Sequence, residues 1–200
     1  MYPAKPGLLI GFHGCEETVR DEVISGITIL NPSQNKYDWL GNGIYFWENN
    51  YERALDYAYN PPGKRKIHSP AVLGAVIDLQ YCLDLLDSAY LRYVKEAHDK
   101  FDQSAKVLGR EIPINKFIGN SNELLIRNLD CAVIESLHHQ RALYGLPPFD
   151  SVRGVFTEGK ELYPGAGFRD KNHIQICIRN PNCIKGYFLP RKEIRWPLAS

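Results

Sequence analysis

The stretch Tyr37-Asp38-Trp39-Leu40-Gly41-Asn42-Gly43-Ile44-Tyr45-Phe46-Trp47-Glu48-Asn49-Asn50-Tyr51-Glu52-Arg53-Ala54-Leu55-Asp56-Tyr57-Ala58 changes character twice along its length. It begins at a glycine-bracketed turn, Gly41-Asn42-Gly43. It continues through Ile44-Tyr45-Phe46-Trp47 and ends in an acidic, polar entry into a helical pattern. Glycines allow the backbone to run close to a neighbour, and the aromatics beside them form a wall suited to a flat ligand. Taken alone, the stretch is equally an ordinary strand-to-helix junction with Tyr45 in the core. A second stretch upstream, Leu8-Leu9-Ile10-Gly11-Phe12-His13-Gly14, gives it a partner. There a histidine and a glycine close a short apolar strand. The histidine can hydrogen-bond a ligand hydroxyl, and the glycine opens the main chain to it.

Working outward, residues 8–12 read as a buried strand and 16–24 as a helix with acidic residues in its first turn. Residues 43–47 read as a strand and 50–59 as a helix stopped by Pro61-Pro62-Gly63. The basic segment 62–69, with Lys64-Arg65-Lys66, reads as an exposed loop, and Val72 to Leu79 as a central strand. Tyr90, Leu91, Val94, Ala97, Phe101, Ala105 and Leu108 recur at helical spacing and predict a helix over 88–108. A second helix is predicted over 122–144, ended by Gly145-Leu146-Pro147-Pro148. Strands are predicted at 152–156, 173–178 and 183–189, with a Gly/Pro-rich loop over 157–170. Strands at both ends with clustered helices predict an α+β class. No G-x-G-x-x-G follows a strand, so a dinucleotide-binding Rossmann domain is not expected. Nothing reads as a linker, so residues 1–200 are expected to form one domain.

Composition limits the function classes. With 200 residues, 24 Lys+Arg against 23 Asp+Glu and a net charge of +1, the chain has no global field for nucleic acid or a membrane surface. The five cysteines are odd in number and lack C-x-x-C spacing, which argues against a disulfide framework and a structural zinc site and fits a reducing compartment. No run approaches the ~18 apolar residues of a membrane span. The expectation is a cytoplasmic protein with no metal and no membrane partner. His138 and His139 are adjacent on a helical stretch and point to different faces, so they do not form a shared metal site.

The ordered pieces together resemble the catalytic domain of the poly(ADP-ribose) polymerase-like, or diphtheria-toxin-like, ADP-ribosyltransferases. Leu9 to Cys15 is similar to the family's first strand ending in His-Gly-Ser, and Val23-Ile24-Ser25-Gly26-Ile27 to the segment after it. Tyr37 to Phe46 resembles the stretch Y-M-F-G-K-G-I-Y-F, and Arg53-Ala54 with Tyr57 falls where the family has S-A-x-Y. Val72 to Leu86 resembles the next strand, and Gln175 to Ile178 with Cys183 to Tyr187 the final pair. The resemblance implies an ADP-ribosyltransferase fold with split, antiparallel-rich sheets; the helical segment 88–144, matched by no motif, is expected to be an insertion. NAD is the implied co-substrate. His13 would bond the adenosine ribose, Gly14 would hold the nicotinamide carboxamide through its main chain, and Tyr45 would stack on the ring with Tyr57 on its other face. Trp39, Gly43 and Ala54 would line the same site.

Two positions depart from the family. Arg53 stands where it has a serine, and Gln175 where it has its catalytic glutamate. Glutamine can bond a ribose hydroxyl but carries no charge, so polymer synthesis is not expected. Glu161 or Glu158, in the preceding loop, is the candidate replacement carboxylate. The implied activity is mono-ADP-ribosyl transfer to a protein or nucleic-acid acceptor by a toxin or effector, with an antitoxin or immunity protein as a further partner. An NAD glycohydrolase, or a catalytically silent module that binds NAD or ADP-ribose, are the alternatives.

Overall fold

The computed structural model describes residues 7–61, 66–117 and 124–191. Lys64, Arg65, Lys192 and the start of the helix expected at Asn122 lie outside the described residues. The strands in chain order are β1 (Leu9–Glu16), β2 (Ile44–Glu48), β3 (Pro70–Ile77), β4 (Cys82–Asp84), β5 (Asn115–Phe117), β6 (Leu124–Arg127), β7 (Ser151–Phe156), β8 (His173–Ile178) and β9 (Ile184–Phe188). The helices are α1 (Glu17–Ile24), α2 (Tyr51–Tyr59), α3 (Ser88–Val107) and α4 (Asn128–Leu143). The class is α+β, with a mostly antiparallel sheet in the order β4-β7-β8-β2-β1-β3-β9 and a separate β5-β6 pair. Within the large sheet only β4 and β7 run parallel.

The sheet nearly divides in the middle. β1 pairs with β3 along its whole length, but with β2 only at Gly11↔Glu48 and Phe12↔Trp47. Beyond Phe12 the two strands part, leaving β4-β7-β8-β2 and β1-β3-β9 as two halves joined at one end.

Side-chain alternation then sorts the core. On one face, Phe46, Ile176, Ile178, Leu73, Ala75 and Ile77 pack with Val23 of α1. On the other, Leu40, Val152 and Cys177 meet Val133, Ile134 and Leu137 of α4 and Tyr90 and Ala97 of α3. Beside them Trp47, Ala54 and Val72 form a third cluster under α2. Fully burying an aliphatic side chain contributes about 1.5–3 kcal/mol, so the segment 88–144 is a substantial part of what holds the β4-β7-β8-β2 half together.

Three elements differ from the sequence expectation. His13 and Gly14 lie inside β1, which runs on to Glu16, because β3 continues to pair opposite them. The second long helix begins at Asn128; Leu124 to Arg127 are a strand, pairing Asn115↔Arg127 and Lys116↔Ile126. A short apolar run such as Leu124-Leu125-Ile126 has no periodicity of its own, and the partner strand decides its state. Cys82–Asp84 is a short strand held by β7. All five cysteines are buried, and none forms a disulfide. Among the described residues no helix is long and apolar enough to cross a membrane, and no group of His, Cys, Asp and Glu could hold a metal ion.

Candidate functional site

The face of the sheet left between α2 and α4 carries a continuous row of rings. Register places Trp47 of β2 opposite Gln175 of β8, and Gln175 opposite Gly154 of β7. Trp47 packs against Tyr57 of α2 with ring centroids 5.0 Å apart, and against His173 at 6.3 Å. His173 stacks on Phe156 at 5.4 Å and 26°. Phe156 meets the edge of Trp39 at 5.2 Å. Trp39 lies over Gly154, where an added Cβ would come 2.7 Å from the indole, so this position has room only for glycine. Gln175 lies within this row, its Oε1 accepting the Trp39 indole N–H at 2.6 Å.

The glycine turn is fixed from two sides. Tyr45 donates its hydroxyl proton to Gly41 O at 2.8 Å and accepts the Leu40 N–H at 3.0 Å. Burial pushes this phenol well above its ordinary pKa, so it stays protonated and able to donate. From α4, Glu135 accepts the Asn42 N–H at 2.8 Å and pairs with Arg179 at 2.5 Å. Gly41 has φ +82°, the left-handed region that favours glycine, and a Cβ there would meet Glu135. At Gly43 a Cβ would fall 2.5 Å from Cys177 Sγ and Ile178 O, so glycine lets β2 approach β8.

Gly14 faces the parting of the sheet. Glu17 N donates to Ser69 O at the β3 end, and Asn49 N donates to Ile10 O on the β2 side. By strand alternation the N–H and C=O of Gly14 therefore point toward β2, where pairing has already stopped. α2 covers the position from above: a Cβ on Gly14 would be 2.1 Å from Ala54 O. His13 projects to the opposite face, beside Phe46 at 5.8 Å. Its Nδ1 lies 2.8 Å from Tyr45 O in the gap; since a carbonyl only accepts, Nδ1 carries the proton.

Of the expected site residues, the fold therefore brings together Trp39, Gly43, Tyr45, Tyr57 and Gln175 on one face, with Ala54 and the main chain of Gly14 at its margin. His13 shares the gap but not the face. Tyr57 meets the ring of Trp47 rather than that of Tyr45. The two glutamates separate. Glu158 is half-buried and bonds Arg53 of α2 at 2.9 Å. Glu161 is exposed, and its carboxylate caps the Gly165 N–H within its own loop. Arg53 also pairs with Asp56, which bonds Lys171 at 2.9 Å, so α2 is tied to both ends of the 157–171 loop. Burial opposes ionisation of Asp56, but the Lys171 and Asn60 hydrogen bonds together with the Lys171 and Arg53 charges outweigh it, and the carboxyl falls below its ordinary pKa.

Sequence reading had Trp47 only as one aromatic of the wall beside the glycine turn, and missed Phe156 and Arg127. The place of Trp47 was legible, two residues beyond Tyr45 on the same strand face. Arg127 was not: its guanidinium lies 5.0 Å over the Trp39 ring and 4.4 Å over Phe156, from a segment with no motif. Three nitrogens around the row, Trp47 Nε1, Arg53 Nε and His173 Nε2, are buried without a hydrogen-bond partner. Burial lowers the His173 pKa to about 4, so the ring is neutral; Nδ1 donates to Lys171 O at 2.7 Å.

One curated relative, the uncharacterized protein MJ0359 of Methanocaldococcus jannaschii, is 25% identical over 194 residues, covering 87% of this chain and 83% of that protein. No family model matches the chain, and no solved structure matches it at significant similarity.

Proposed function

We propose that the protein is an NAD-dependent mono-ADP-ribosyltransferase of the poly(ADP-ribose) polymerase-like type, with NAD bound where the two halves of the sheet part. The observation that carries this reading is the meeting of the separate sequence motifs around one gap: Gly14 main chain toward β2, the Tyr45 and Trp47–Tyr57 rings, and Gln175. The nicotinamide ring lies against this aromatic wall, its carboxamide on the N–H and C=O of Gly14. A buried indole N–H without a protein partner, Trp47 Nε1, is a further donor beside it.

In the reaction, the bond between nicotinamide nitrogen and ribose C1′ breaks and its electron pair leaves with nicotinamide. A nucleophilic atom of the acceptor forms the new bond to C1′ and loses its proton. Positive charge builds on the ribose in between, so a nearby carboxylate accelerates the step. Gln175 is neutral; with Oε1 held by Trp39, its amide N–H groups are what it offers a ribose hydroxyl. Of the two loop glutamates, Glu158 is the one bonded to α2, the helix that carries Tyr57. The same neutrality supports a second reading, a module that binds NAD or ADP-ribose without turnover.

The deciding experiment incubates the protein with NAD labelled in its adenylate half, with and without cell lysate. Free nicotinamide and label on protein and nucleic acid are both followed. Transfer predicts both signals, and Tyr45→Ala, confirmed folded, abolishes them. Nicotinamide without label means water is the acceptor. Binding of NAD without nicotinamide release leaves the silent module, and no binding at all removes the reading.

A further inference from the structure

We propose that Arg127 anchors a diphosphate at the end of the aromatic row, so that the segment joining α3 and α4 supplies a ligand-binding residue of its own. The identity of the whole ligand rests on the NAD reading above; the anion site rests on Arg127 itself.

Three other arginines make charge-assisted hydrogen bonds to carboxylates, and Arg141 donates to Pro147 O and the Tyr81 hydroxyl. Arg53 bonds Glu158 at 2.9 Å, Arg153 bonds Glu48 at 2.5 Å, and Arg179 bonds Glu135 at 2.5 Å. Arg127 is different. Its Nε donates to Leu124 O at 2.9 Å, which fixes the side chain. Asp130 is 3.6 Å away, beyond hydrogen-bond reach, and its other oxygen is taken by Asn115 at 2.8 Å. Among the described residues no carboxylate hydrogen-bonds this guanidinium. Burial lowers its pKa and the nearby Asp130 charge offsets only part of that, yet arginine keeps its charge. The guanidinium carbon lies over the Trp39 and Phe156 rings, and these two cation–π contacts help the Leu124 bond hold the side chain in place. A rigid guanidinium with free donors selects an anion that accepts two parallel hydrogen bonds, as phosphate oxygens do.

Position specifies the anion further. Trp39 carries Arg127 on its ring and Gln175 on its indole nitrogen. Anion site and Gln175 amide are thus separated by one aromatic side chain, the kind of spacing at which a diphosphate follows a ribose.

Isothermal titration with inorganic pyrophosphate, NAD and nicotinamide, each separately, tests this on the full chain. The variants are Arg127→Ala, Arg127→Lys and Asp130→Asn, each checked for an unchanged thermal midpoint. The wild type binds pyrophosphate. Arg127→Ala weakens pyrophosphate and NAD roughly tenfold to a hundredfold, the range for a lost charge-assisted hydrogen bond, and leaves nicotinamide unchanged. Arg127→Lys recovers part of the loss, and Asp130→Asn, which removes the competing charge, tightens pyrophosphate; these two variants decide the matter if Arg127→Ala does not fold. NAD bound equally well by wild type and Arg127→Ala overturns the anchor and leaves the NAD reading standing. Arg127-dependent pyrophosphate binding with no NAD binding keeps the anchor and removes the NAD reading. Binding of neither ligand removes both.

Discussion

Trp39 and Gln175 are joined by one hydrogen bond, indole N–H to amide carbonyl at 2.6 Å, across 136 positions of sequence. It ties the loop before the glycine turn to the centre of the sheet, and it determines which end of the Gln175 amide faces a ligand. A carboxylate in the same place would accept the same N–H.

Gln175→Glu is therefore expected to fold with an unchanged or higher thermal midpoint, since the Trp39 bond becomes charge-assisted. On the proposed chemistry it raises nicotinamide release from NAD roughly tenfold or more, by placing negative charge near the ribose. A folded Gln175→Glu protein that releases nicotinamide no faster than wild type counts against Gln175 as the residue facing the ribose.

Gly14→Ala tests the seat of α2. The new methyl would sit 2.1 Å from Ala54 O, so α2 must lift or β1 must bend. Overpacking of this kind costs about 1–3 kcal/mol, read as a lower urea midpoint. Gly186→Ala is the control, because nothing lies within 4 Å of its added Cβ. Equal midpoints for the two variants would place α2 elsewhere.

Arg153 is 5% exposed and holds two carboxylates, Glu48 at 2.5 Å and Asp84 at 3.2 Å. Arg153→Met leaves both charges poorly compensated and is expected to cost about 3–5 kcal/mol at neutral pH. Denaturant unfolding of Arg153→Met in a Glu48→Gln background should show a smaller deficit, because one of the stranded charges is gone. An equal deficit in both backgrounds would mean that packing, not charge, is what Arg153 supplies.

Two buried histidines set the acid response. Burial lowers both His138 and His173 from 6.5 to about 4. Between those values the unfolded chain binds protons that the native state refuses, so stability falls as pH is lowered from about 6.5 toward 4 and these groups add no further loss below it. Each proton contributes a slope of up to about 1.4 kcal/mol per pH unit. His138→Asn should make the decline shallower. Unfolding free energies that do not change between pH 7 and pH 4.5 would show that both rings are solvated.

What the sequence determined by itself is local. Ile44 to Trp47 form a strand, and Tyr51 to Tyr59 follow as a helix behind the Gly41-Asn42-Gly43 turn. These follow from steric and periodic preferences of neighbouring residues. Pairing along the chain also determined that Trp47 shares a face with Tyr45, since strand residues two apart always do. Tertiary structure decided the rest. That β1 leaves β2 after Phe12, that His13 lies on the face away from Gln175, and that Tyr57 meets Trp47 depend on which strands adjoin and in what register. Register is a long-range choice, and a shift of one residue reverses every side chain. Arg127 is the extreme case: its place over Trp39 arises from β5 pairing with β6 and α4 packing on the sheet, none of which is written near Trp39 in the chain.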